Sequence, residues 1–143
     1  MTALTRAVVS HDLSGMEAAL RANPNAASEP EGGWLPLEWA KRSGNIVTLM
    51  RLARLIESDD LNYQFTLIAY VRRSGVNYFG GGSVVSTAEQ LWEQSIEGKP
   101  PRPFTKDESD VALTPEAKLD VAYFIRRARI SSVAELLRLA NAA

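Results

Sequence analysis

The apolar pattern of the first helix pair returns 33 positions further along the chain. Leu4-x-x-Ala7 recurs as Leu37-x-x-Ala40, Ser10 as Ser43, Asp12 as Asn45, Met16 as Leu49 and Ala19 as Leu52. A repeat of this period marks small units that cannot bury their apolar faces alone, so neighbouring copies must stack. A stack of that kind presents an extended surface to another macromolecule rather than a closed catalytic pocket.

Composition narrows the possibilities. The 143 residues carry 16 basic and 17 acidic side chains, a formal charge of −1, and 45% are hydrophobic. This suits one folded domain over residues 1–143 and excludes global disorder. General affinity for nucleic acid is not expected, because displacing counterions calls for a basic surplus. With no cysteine, disulfides and every Cys-containing metal site are ruled out. The N-terminus lacks a signal-peptide core, and the longest aliphatic and aromatic run, Leu67 to Val71, is far short of the ~20 residues that span a bilayer. The expectation is a cytoplasmic protein without membrane contact.

Periodicity and punctuation predict an all-α chain of eight helices in about four degenerate pairs. The first helix carries Leu4, Ala7 and Val8. Ser14-Gly15-Met16-Glu17 reads as a capping box for the second, which Asn23-Pro24 stops. Pro36 opens the third helix, with Leu37, Trp39 and Ala40 on its buried side, and Ser43-Gly44-Asn45 ends it. The fourth buries Ile46, Leu49, Leu52, Ala53 and Ile56. Glu57 to Asp60 form an acidic hinge whose charges favour the start of a fifth helix through its dipole, with Leu61, Phe65, Ile68 and Val71 apolar. Ser86-Thr87-Ala88-Glu89 reads as the capping box of a sixth, which holds Leu91, Trp92 and Ile96. Thr114-Pro115 starts a seventh with Leu119, Ala122, Phe124 and Ile125, and Ser132 to Glu135 cap an eighth with Leu136, Leu137 and Leu139. Residues 3–57 thus form two units and 60–97 a divergent one with a glycine-rich loop. Residues 98–114 form an irregular loop, and 115–143 a C-terminal capping pair.

Gly33-Trp34-Leu35-Pro36-Leu37-Glu38-Trp39-Ala40, followed by Ser43-Gly44-Asn45, resembles the ankyrin repeat unit Gly-x-Thr-Pro-Leu-His-x-Ala…Gly-His. Leu4-Thr5-Arg6-Ala7 with His11-Asp12 and Leu20 resembles a worn copy before it, and Leu119-x-x-Ala122 with Leu136-Leu137 another behind it. Leu35 and Glu38 stand where the family has Thr and His, so its usual side-chain tie is missing. The resemblance implies an ankyrin-like hairpin stack that binds proteins through hairpin tips and inner helices, without catalysis.

Few residues suggest chemistry. Ser10-His11-Asp12 are consecutive and cannot converge as a triad on one helix. Gly80-Gly81-Gly82-Ser83 precedes a helix but lacks the Lys of a phosphate loop. Glu89 and Glu93 share a helix face that reads as solvated. No catalytic residue, metal ligand or cofactor is expected.

Binding candidates are clearer. Trp34 falls at the repeat tip, as a contact residue or as packing against the next connection. Tyr78 and Phe79 are either loop anchors or contacts. Lys41-Arg42, Arg72-Arg73 and Arg126-Arg127-x-Arg129 each end the first helix of a pair. They serve the helix dipole, or line up as a basic edge toward an acidic partner, in which Arg42, Arg72 and Arg73 are the contacts. The functional expectation is a non-catalytic protein that binds and inhibits another, such as an immunity protein on its toxin. The alternatives are an adaptor bridging two proteins, or a small-ligand or phosphate-binding protein or enzyme using Gly80–Ser83.

Overall fold

The hydroxyl of Thr2 accepts the amide of Thr5 and so starts the first helix, α1 (Ala3–Val9). The computed structural model describes residues 1–76, 82–101 and 112–142. All of its regular elements are α-helices, apart from one short 3₁₀ turn at Pro24–Ser28. After α1 come α2 (Leu13–Ala22), α3 (Pro36–Ser43), α4 (Ile46–Ile56), α5 (Tyr63–Val76), α6 (Gly82–Ser95), α7 (Pro115–Arg127) and α8 (Val133–Asn141). No described helix is long and apolar enough to cross a membrane. The chain divides into two compact units, Met1–Leu61 and Asn62–Ala143.

In the first unit, α1 packs on α2 and α3, and α4 on α3 and α2. The 33-residue echo is carried by buried side chains: Leu4 and Leu37, and Ala7 and Ala40, are all in the core. The turns inside the pairs also rhyme. A left-handed residue follows α1 (His11, φ 59°) and α3 (Gly44, φ 75°), which lets the last carbonyls find partners as the chain reverses. One residue on, Asp12 accepts the amide of Gly15 and Asn45 that of Thr48, capping α2 and α4. The third such turn is Arg129 (φ 61°) after α7, followed by Ser132 capping α8 through the Glu135 amide.

Two expected caps are corrected. Asp12, not Ser14, caps α2, and the Ser14 hydroxyl donates to the same carboxylate. Helix α6 begins at Gly82, so Ser86 lies inside it rather than at its start. The acidic hinge is corrected too. Glu57 closes α4 with a left-handed backbone, while Asn62 caps α5 by accepting the Phe65 amide.

In the second unit α5 pairs with α6, and α7 and α8 approach α5 and α6 more closely than they approach each other. The buried side of α5 is Tyr63, Thr66, Leu67 and Val71, whereas Phe65, expected in the core, is 72% exposed. On α7 the buried run is Asp120, Val121, Tyr123, Phe124 and Ile125, and Leu119, which carried the fourth likeness to the repeat, is 51% exposed. Ile96 is exposed beyond the end of α6, and Trp92, Leu137 and Leu139 are half-buried rather than core. In both helices the face is chosen by aromatic and polar partners. Tyr63, Tyr123 and Phe124 form one ring cluster with centroids 4.7–6.1 Å apart. Arg127 lies over Tyr63 at 4.6 Å and donates to the Tyr123 hydroxyl at 3.3 Å. Gln90 and Gln94 are fully buried on α6. Gln94 donates to Gln90 and accepts the Leu113 amide, which satisfies polar groups that would otherwise be costly to bury.

Candidate functional site

The tip of the first unit is built by a two-residue reversal. Gly32 (φ 60°) and Gly33 (φ 83°) both hold positive φ, the requirement of the tight turn whose twist matches paired extended strands. Glu31 and Trp34 then exchange backbone hydrogen bonds of 2.8 and 3.1 Å. Leu35 follows with its amide donating to Glu38 Oε1, and Pro36 sits in the first turn of α3, where its missing N–H costs nothing.

That reversal folds Trp34 back onto α3. Its ring meets Trp39 edge to face, with centroids 4.7 Å apart at 66°. One turn further, the Arg42 guanidinium lies 3.9 Å from the centre of the Trp34 ring, a cation–π contact of about 0.5–1 kcal/mol at an exposed site. Trp39 and Arg42 are three residues apart and so share a helix face. Val9, at the end of α1, faces the same space, and Val9, Trp34, Trp39, Arg42 and Ser43 line an open groove of about 350 Å³.

The polar groups of this groove are unequally used. Trp39 Nε1 donates to the Glu31 carbonyl at 3.0 Å, and the Ser43 hydroxyl to the Ala40 carbonyl at 2.8 Å. Trp34 Nε1 and the N–H edges of Arg42 have no hydrogen-bond partner among the described residues; their contacts are the ring ones.

Of the expected contacts, Trp34 and Arg42 are thus brought together. Trp34 is half-buried by packing on Trp39, while Arg42 is exposed. Arg72 has a different role: its Nε donates to the Ala140 carbonyl at 3.0 Å, tying α5 to the end of α8. Arg73 is exposed on α5. Lys41 donates to the Asp60 carbonyl at 2.9 Å, and Arg127 is engaged on its tyrosines. Tyr78, Phe79, Gly80 and Gly81 lie outside the described residues, and Gly82 and Ser83 fall in the first turn of α6. Val9 and the participation of Trp39 were not anticipated, although the Trp39–Arg42 spacing was a readable signal.

Ser10, His11 and Asp12 point to separate duties. Ser10 donates to the Arg6 carbonyl, His11 Nδ1 is 3.1 Å from the Thr48 hydroxyl, and Asp12 caps α2. The His11 contact joins the turn of the first pair to the second helix of the next. In the second unit, burial raises the Tyr70 hydroxyl above its ordinary value of 10.0, and the negative charge of Asp120 adds to the effect. Among the described residues no three His, Cys, Asp or Glu converge as a metal-binding group.

Comparison with protein-family models, curated proteins and solved structures finds no match to this chain.

Proposed function

We propose that this chain is a non-catalytic binding protein of ankyrin-like type, acting in the cytoplasm, whose first unit docks another protein at the Trp34–Trp39–Arg42 groove. We further propose that docking blocks the partner, as an immunity protein blocks its toxin. The reading rests on one observation: Trp34 and Arg42, both with uncommitted donors, gather with Trp39 beside the 44% exposed Val9. Trp and Arg are enriched at protein interfaces and their hot spots, where they bury large contact areas and place directional donors. The paired echo of Leu4–Ala7 and Leu37–Ala40 supports the ankyrin likeness of residues 3–57.

The test is capture from the native host with the tagged chain, followed by co-expression with any toxin encoded nearby. A tight protein partner and protection of the host are expected. No partner and no protection against any neighbouring gene product would overturn the reading. The division into two compact units favours a second reading, an adaptor in which each unit holds its own protein. Simultaneous binding of two partners to one chain would select it.

A further inference from the structure

We propose that the groove of the first unit takes an apolar side chain of the partner protein together with a carboxylate that flanks it in the partner's sequence. The apolar group lies over Val9 and Trp39, and the carboxylate pairs with Arg42. This rests on the protein-binding reading above and specifies the chemistry of the bound segment.

The donor and acceptor inventory decides the charge. The lining hydroxyl of Ser43 and the indole N–H of Trp39 are spent on backbone carbonyls. What remains uncommitted is the Trp34 indole N–H and the Arg42 guanidinium, and both are donors. A guanidinium lying on a ring uses its face, so its N–H edges stay free to hold a carboxylate by two parallel hydrogen bonds. Among the described residues no carboxylate lies within 4.0 Å of Arg42 as an ion pair. Glu38 Oε1 accepts the Leu35 amide, and Glu31 Oε1 accepts the Thr2 amide at 2.6 Å. A basic ligand would therefore meet the unpaired Arg42 cation at the groove.

Size and lining decide the rest. About 350 Å³ of open space walled by two indoles and a valine suits one aromatic or branched aliphatic side chain. Lone phosphates or nucleic acid would gain little from apolar walls and a single cation, since such ligands are held by several basic groups. A carboxylate two residues away on an extended segment, or one turn away on a helix, projects to the same side as the apolar group and comes within reach of Arg42.

The probe is a random peptide library displayed on phage, selected on the full chain and counter-selected on the Trp34→Ala/Arg42→Glu double variant. Both proteins are checked for helical content by circular dichroism. The expected result is enrichment of peptides pairing Phe, Trp, Leu or Ile with a neighbouring Asp or Glu. A synthetic peptide of the enriched sequence should bind about tenfold or more weaker to Arg42→Glu. Replacing its acid by Lys should have the same effect, and Arg42→Lys should fall between. Enrichment of basic or uncharged peptides, or none that depends on the groove, would overturn the proposal. Capture of the native partner by the double variant as well as by the original chain would sink the groove while leaving the protein-binding reading intact. Absence of any partner for either would sink that reading instead.

Discussion

Trp34 lies edge to face with Trp39, five residues on, between a reversal at two left-handed glycines just before it and the start of α3 just after it. The pairing turns a loop tryptophan into one wall of a groove. It also fixes the ring that Arg42 covers, so the placement of two contact candidates depends on a glycine turn.

That dependence gives a first prediction. A methyl group on Gly33 would meet nothing within 4 Å, so any cost of Gly33→Ala comes from the positive φ alone. The variant should lose about 1–2 kcal/mol of stability, measured by urea denaturation. A neutral result would show that the turn is free to change shape.

The phase of α5 gives a second. Leu67 is fully buried while Phe65 is 72% exposed. Leu67→Ala should cost about 2–5 kcal/mol, and Phe65→Ser should change stability by no more than about 0.5 kcal/mol. Denaturant midpoints of the two variants check this directly. A larger loss at Phe65 than at Leu67 would rotate the helix to the face expected from sequence.

Tyr70 supplies a pH dependence. Burial, with the charge of Asp120 added, raises its hydroxyl above 10.0. The folded chain therefore keeps this proton at a pH where the unfolded chain has lost it. The resulting stability is complete below the unfolded value and falls away as pH rises through and above 10.0. Thermal melting between neutral and strongly alkaline pH should decline more steeply for the original chain than for Tyr70→Phe. Identical slopes would remove Tyr70 from the account.

Sequence made the punctuation of this fold legible and the burial much less so. Pro36, Gly44, Thr114-Pro115 and Ser132–Glu135 act locally, through ring geometry, left-handed backbone and hydroxyl caps, and each stands where its residue type demands. Ser14 misled because the carboxylate two residues earlier competes for the same amides, and Ser86 because α6 continues back to Gly82. The faces of α5 and α7 could not be read from apolar spacing. Tyr63 and Tyr123 are amphipathic, Gln90, Gln94 and Asp120 are polar yet buried, and which of them turns inward depends on partners far along the chain. The candidate site was half visible. Trp34 and Arg42 each stood out, but their meeting along α3, with Val9 as the facing wall, exists only in three dimensions.

The most direct measurement is the affinity of the captured protein partner for the original chain and for Trp34→Ala, by isothermal titration calorimetry, with folding verified by circular dichroism. The groove account predicts a loss of about 2 kcal/mol or more, roughly thirtyfold in dissociation constant. An unchanged dissociation constant in a folded variant would contradict it.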